Sequence, residues 1–265
     1  MKLSEELTTT INELASSKNI LISLVLKDLF GNYKNSALGF GWHFVMPALM
    51  MIVYYVAFTQ SFSISMPDFW IYLGCALFPF NFMISNLTGS TGIIVGNSGM
   101  IKKMYFPREI LVLAKVISSL IVLLIGYVVV VGALLISGFG LNLISALYLL
   151  PLILLMTTFV LGYSLALSAL TVYVRDIQHI LNSISVAFFF ITPMYFTTTA
   201  ISGAFSTIIW FNPFTYFIEG FHDCIYYGNM PCTPMILICL LLSIISFILG
   251  ACIFNKLKRG FAERL

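Results

Sequence analysis

Three histidines, ten carboxylates and five cysteines are the side chains of this 265-residue chain that could ligate a metal, carry a proton or attack an electrophile. His43, His179 and His222 are far apart in sequence and lack ligand spacing, so each reads as a residue at a membrane boundary. No H-E-x-x-H or G-x-S-x-G segment is present. The glycine-rich stretch GSTGIIVGNSG has no lysine in the phosphate-binding position, and its Gly92 and Gly96 suit close helix packing or a turn. Cys75, Cys239 and Cys252 fall in apolar runs as small packing residues; Cys224 and Cys232 share one connection, where a disulfide is one option. A chain without these signatures shows no means of hydrolysing a nucleotide itself.

Aromatic residues are the positive signal. At 100° per residue, Phe44, Met51, Tyr55, Phe58 and Phe62 fall on one narrow helical stripe. Asn182, Ser185, Phe188, Thr192 and Tyr195 form a mixed polar and aromatic face on a later apolar run. Such stripes serve packing or lipid contact, but they also suit a slide for sugars, whose apolar faces stack on rings while their hydroxyls bond Asn, Ser, Thr and Tyr. A third cluster is charged: GNSGMIKKMYFPREI brings Lys102, Lys103, Arg108 and Glu109 together between long apolar runs.

The elements that must position these groups are membrane helices. Hydrophobic residues make up 60% of the chain and charged ones 9%, against roughly 25% charged in a soluble domain. The fold class is an all-α integral membrane protein, a single transmembrane domain over 1–265. Six crossings are expected at roughly 41–62, 69–88, 110–137, 146–172, 180–197 and 235–254. Residues 1–36 form a cytoplasmic amphipathic segment, with Leu3, Leu7, Ile11 and Leu14 at helical spacing, and 255–265 form a cytoplasmic tail. Residues 1–19 carry charges and no apolar core, so they do not read as a secretory signal.

All thirteen basic residues fall on one side of this topology. They lie in the amino-terminal segment, the second connection (Lys102, Lys103, Arg108, Lys115), the fourth connection (Arg175) and the tail; the opposite connections hold Asp68, Glu219 and Asp223. Both termini are therefore expected inside. The long insert before the last span is too apolar for a solvated loop, and its short pieces, broken at Asn212-Pro213, predict re-entrant or interfacial helices. No paired acids lie deep within a span, which argues against an ion-coupled carrier.

The ordered segments LKDLFGNYKNSALGFGWHFVMPAL, LFPFNFM, IVGNSGMIKKMYFPREIL, VYVRDIQHIL and WFNPFTYFIEGFHD resemble the membrane subunit of type-2 ABC exporters. More narrowly, they resemble the branch that exports O-antigen, capsule or teichoic acid chains. The sequence departs at Phe80, where tryptophan is frequent, and at Lys27, where arginine is frequent. The resemblance implies a homodimer in a bacterial or archaeal cytoplasmic membrane, above two cytoplasmic ATPase subunits that hold ATP and Mg. No cofactor is implied on this chain. Membrane lipid and a polyprenyl-linked glycan are the further implied partners, and nucleic acid is not one.

On that resemblance, residues 96 to 109 make a short helix lying across the inner surface. Met100, Ile101, Met104, Tyr105 and Phe106 then meet a cleft in the ATPase, Lys102, Lys103 and Arg108 meet acidic or phosphate groups, Pro107 ends the element and Glu109 opens the next span. Lys27, Lys34 and Arg175 are candidates for meeting the lipid-linked phosphate at the inner leaflet. The two aromatic faces become the translocation path, and Trp210, Phe211, Asn212, Pro213, Phe214 and Tyr216 the outer gate. The alternatives are a lipid or drug exporter of the same superfamily, or a membrane transferase using Asp176, His179 or Asp223 on a polyprenyl-linked glycan.

Overall fold

A backbone inside a bilayer has no water to bond, so each apolar run must satisfy its own N–H and C=O groups by becoming helical. The computed structural model describes residues 17–31, 36–62, 66–104, 106–140 and 142–264, and among the described residues there is no strand. Five stretches are long and apolar enough to cross a membrane: Gly39–Gln60, Phe69–Gly89, Glu109–Ser137, Leu143–Tyr173 and Thr233–Gly260.

Helix α1 (Lys18–Gly31) leads to α2 (Trp42–Phe62) and α3 (Phe69–Gly89). Two short helices, α4 (Ile93–Gly96) and α5 (Ser98–Lys103), precede α6 (Glu109–Ser137). The chain continues through α7 (Leu143–Leu147), α8 (Leu149–Tyr173) and α9 (Asp176–Ile191). The insert contains α10 (Ala204–Phe211) and α11 (Pro213–Ile225), after which α12 (Thr233–Leu257) and α13 (Phe261–Arg264) end the fold.

The expected crossing over 180–197 is placed differently. Its helix begins earlier, at Asp176, and ends after 16 residues, roughly 24 Å at 1.5 Å per residue. Thr192 leaves helical geometry (ψ 132) because Pro193 disfavours the α conformation in the residue before it. Thr192 and Tyr195 therefore lie beyond α9 instead of on its face. The expected break at Asn212-Pro213 is present: Asn212 caps α11, its Oδ1 accepting from the Phe214 amide (3.0 Å), with Pro213 at the first helical position. Residues 1–16, which include Leu3, Leu7, Ile11 and Leu14, lie outside the described residues.

α3 forms the centre of the bundle. Its Ile71, Cys75, Phe82 and Met83 are buried in one cluster with Val130 of α6, Met156 and Val160 of α8 and Phe217 and Phe221 of α11. α2 is the reverse case, with Ile52 58% and Val53 61% exposed along its length. α1 lies along the start of α6, packing Val25 and Leu29 against Ala114, Ile117 and Val122.

The closest helix pair is α8 with α12. A Cβ on Gly250 would lie 1.9 Å from the Gly162 carbonyl oxygen, and one on Gly162 would lie 2.3 Å from the Ser246 carbonyl carbon. Only glycine at both positions lets these backbones touch. Two hydroxyls bind the same seam: Ser243 donates to the Leu155 carbonyl (2.7 Å) and Ser246 to the Phe159 carbonyl (2.8 Å). The pairs 155 with 243, 159 with 246 and 162 with 250 ascend together, so α8 and α12 run parallel.

Gly250→Ala must push the two helices apart, with an expected loss of about 1–3 kcal/mol. Gly132→Ala, where a Cβ meets nothing within 4 Å, is the matched control. Thermal melting in detergent should show a lowered midpoint for Gly250→Ala alone.

Candidate functional site

The charged elbow between α3 and α6 is shorter than the 96–109 helix expected of it. α5 stops at Lys103 and Met104 is extended (φ −131, ψ 139). Tyr105 lies outside the described residues. Lys102, Lys103 and Met104 are exposed, whereas Phe106 is buried with Ile94, Ile110, Leu111, Phe254 and Phe261, and Met100 and Ile101 pack on that cluster. Phe106, Met100 and Ile101 thus belong to this chain's own core, and Pro107 is half-buried beside them. Among the described residues, the exposed part of the expected docking group is Lys102, Lys103 and Met104.

Arg108 and Glu109 also turn inward. The Arg108 guanidinium donates to the Lys258 carbonyl and sits 5.5 Å from the Phe261 ring centroid, while Glu109 Oε1 meets Lys258 Nζ at 2.7 Å. From the end of α8, the Tyr173 hydroxyl donates to the Leu257 carbonyl (2.9 Å), and Arg264 lies over the Tyr173 ring (4.4 Å). The carboxy-terminal tail, expected as a cytoplasmic extension, is therefore clasped between the first residues of α6 and the last of α8. No local sequence pattern points to this clasp, because its partners are about 150 positions apart.

Lys115 was expected in the second connection and instead lies inside α6, its Nζ 3.4 Å from Asp28 Oδ2 on α1. Ser118, one turn further, donates to the same carboxylate oxygen. A lysine in an apolar helix needs such a partner, and Asp28 supplies it from the helix lying alongside. This ion pair borders a cavity of about 390 Å³ between α1, α2, α3 and α6. Trp42, His43, Asn81, Ser85 and Ser119 provide its other polar groups, and Met46, Met50 and Phe82 are among its apolar walls. His43 is anchored by donating from Nε2 to the Leu29 carbonyl (2.8 Å). Lys27 and Arg175 are exposed, on α1 and at the cap of α9, and do not line the cavity; Lys34 lies outside the described residues.

The two aromatic faces meet at one end. Phe58 stacks on Tyr195 (4.3 Å, 12° between planes), and Tyr54 approaches Phe189 at 5.7 Å. Phe44 and Tyr55 are exposed, and Met51 is half-buried against α3 near Gly74; the side chain of Phe62 is outside the described residues. On α9, Asn182 is exposed and Ser185 donates to its carbonyl (2.7 Å), while Phe188 packs on Phe214 at 4.8 Å. Thr192 is buried and accepts from the Asn212 side-chain amide (2.9 Å), tying the end of α9 to the break between α10 and α11.

Of the expected outer gate, Phe211 is 89% exposed, whereas Asn212 and Phe214 are buried. Trp210 and Tyr216 pair with each other, the Tyr216 hydroxyl donating to the Trp210 carbonyl (2.9 Å). Behind them His222, fully buried, stacks on Tyr72 (3.7 Å, 14°) and donates from Nε2 to the Tyr72 carbonyl (3.1 Å). That leaves Nδ1 facing Glu219 Oε1 at 3.9 Å, outside hydrogen-bond reach, and neither atom has another partner. Asp223, next in the chain, is pushed up to about 6, first by burial and then by the Glu219 charge, with His222 opposing. Asp176 and His179 are exposed on α9, apart in sequence from this outer cluster. Among the described residues no three His, Cys, Asp or Glu side chains are grouped to hold a metal.

A bundle of apolar helices, five of them long enough to cross a membrane, with a basic elbow between two of them, describes a multi-pass membrane protein. Residues 21–226 match the ABC-2 type transporter family, and the chain belongs to that family. Among its relatives are two proteins named O-antigen export system permease protein RfbA from Klebsiella pneumoniae, 31% and 30% identical over 248 residues, 93% of this chain and 95% of each relative. A third of the same name, from Myxococcus xanthus, is 27% identical over 260 residues, 96% of this chain and 98% of the relative.

Two outcomes test this geometry. Glu109→Gln should cost roughly 1 kcal/mol, since Lys258 is partly exposed, and should speed tryptic cleavage at Lys258 and Arg259 as the tail comes free. The raised Asp223 means the folded chain holds its proton more tightly than the unfolded one, so this group's contribution falls as pH rises from about 4 toward 6. Melting midpoints compared at the two ends of that window should show a smaller pH dependence in Asp223→Asn than in the parent.

Proposed function

We propose that this chain is the membrane subunit of an ATP-driven exporter of lipid-linked cell-surface polysaccharide, acting as a homodimer above two ATPase subunits. The observation that carries the reading is the near full-length similarity to permeases named for O-antigen export. O-antigen, capsule and teichoic acid chains share a glycan built on a polyprenyl carrier, and the reading covers that class.

The short helix α9 is taken as a crossing on two grounds. Its first turn lies near the inner end of α3, where the Gln178 amide is 3.6 Å from the position of a Cβ on Gly92, and the strand of chain after it reaches the other end of α3, where the Tyr72 hydroxyl donates to the Phe196 carbonyl (2.8 Å). The parallel run of α8 and α12 independently requires the intervening chain to return to the side from which α8 started. On this reading the chain makes six crossings with both termini on the basic side, in the cytoplasm by the positive-inside rule. α10 and α11 then form the re-entrant pair on the outer side, and Phe211 is its exposed tip.

Lys102, Lys103 and Met104 are the surface offered to the ATPase. On this reading the path runs between the first and fifth crossings, the Phe58–Tyr195 stack lies across it, and transport opens that stack. The separation costs about 1 kcal/mol of ring contact, small against the free energy that ATP hydrolysis supplies.

Lys102→Ala with Lys103→Ala should abolish co-purification of an ATPase encoded beside this chain while leaving its own melting midpoint unchanged. Deletion of the coding region should leave lipid-linked glycan accumulated on the inner leaflet with surface glycan lost. Absence of that intermediate would instead indicate a biosynthetic enzyme and end the exporter reading.

A further inference from the structure

We infer that the cavity between α1, α2, α3 and α6 binds the sugar head of a membrane glycolipid, with the adjoining hydrocarbon lying against Met46 and Met50. This deepens the exporter reading and rests on it for the source of the glycolipid.

The charge balance of the cavity decides the ligand class. Asp28 and Lys115 are paired at 3.4 Å and both line the space, so it offers one strong acceptor and one strong donor with little net charge. A sugar hydroxyl donates and accepts and can use both; a phosphate only accepts, and would meet the Asp28 carboxylate as a like charge. Ser85, Ser119 and Asn81 add neutral groups of both kinds, and Trp42 offers a ring for the apolar face of a hexose. The volume of about 390 Å³ falls in the range of small-molecule sites.

Position on the helices points the same way. α3 is buried along most of its length, yet Asn81 and Ser85, one turn apart, turn exposed polar groups into this cavity. An amide facing bare hydrocarbon is costly, so an occupant bearing hydroxyls suits that wall. Met46 and Met50 are exposed on α2, and unbranched thioether chains adapt to an irregular alkyl segment. Neither Lys27 nor Arg175 lines the cavity, and the one lysine that does, Lys115, is already paired with Asp28, which favours a sugar over the carrier's phosphate.

Trp42 lets the site report on itself. In a Trp70→Phe, Trp210→Phe background it is the sole tryptophan of the full-length chain, which is reconstituted in phosphatidylcholine vesicles. Dodecyl maltoside brominated in its chain should quench Trp42 at a mole fraction at least about fivefold lower than dodecylphosphocholine brominated alike. Asn81→Leu and Lys115→Met should each remove that preference, and Lys18→Met, exposed on α1 and outside the cavity lining, should keep it. Ser119→Val replaces Asn81→Leu should the latter not give a monodisperse protein.

Equal quenching by the two detergents overturns the site, as does a preference that survives both cavity substitutions. Displacement of the maltoside by phosphatidylglycerol at equal mole fraction also overturns it, because any glycerol head would then serve. Loss of export on deletion without a sugar preference keeps the exporter reading and removes this site; a sugar preference in a chain whose deletion leaves surface glycan intact does the reverse.

Discussion

The bundle is held by hydroxyl and imidazole donors that reach across to the backbone carbonyl of another helix. Tyr163 donates to the Met83 carbonyl, Tyr127 to that of Cys75, and Ser243 and Ser246 to those of Leu155 and Phe159. His222 and Tyr173 do the same at the two ends. In hydrocarbon an unpaired donor is expensive and water cannot rescue it, so a polar side chain placed within an apolar helix must find a partner inside the bundle. A helical carbonyl keeps a second lone pair after its own helix bond and is the acceptor always within reach. Each such bond is worth only about 0.6 kcal/mol on average in membranes, but its direction fixes which faces meet. Packing density then follows, as in the glycine contact of α8 with α12.

Against that rule two places stand out. Glu219 and His222 face each other without a hydrogen bond inside the bundle, and the cavity beside Asp28 and Lys115 exposes an amide and several hydroxyls. Polar groups that a stability argument would remove are retained at both, which marks them as positions where something other than packing is served. The two differ in what can reach them. His222 is sealed beneath Tyr72, whereas the cavity is open enough to admit a ligand head.

The all-helical fold, five helices long enough to cross a membrane, the break at Asn212-Pro213 and the basic elbow are legible from apolar run length, proline and the clustering of lysine and arginine. These are local properties, readable without knowing which helix lies beside which. Apolarity alone carries the expected 180–197 crossing too far, since Met194, Tyr195 and Phe196 stay apolar after Pro193 has stopped the helix. In sequence Lys115 groups with the basic residues of the second connection; only the neighbouring α1 reveals that Asp28 satisfies it within α6. Phe106, Arg108 and Glu109 were legible as a cluster but not in their roles. A cluster at a membrane boundary suits a partner surface and an internal clasp equally, and the tail that decides between them is far away in sequence.

The clasp also sets how force would spread on the proposed coupling role. Lys102, Lys103 and Met104 are joined through Phe106 to a cluster that includes Ile110 of α6, Leu165 and Ala169 of α8 and Phe254 of α12. Arg108 and Glu109 bond to the residue following α12, and Tyr173 at the end of α8 bonds to the last residue of α12. A push at the elbow therefore reaches three long helices through contacts already made, and the glycine seam prevents α8 and α12 from sliding independently. α2 is tied less firmly: most of it is exposed, and its far end meets the chain after α9 through the Phe58–Tyr195 stack. Ring stacks have no directional bond to break, whereas the clasp combines an ion pair with hydrogen bonds. Displacement applied at the elbow is thus resisted within the α6, α8 and α12 group and released where α2 meets α9, which is where the proposed path would open.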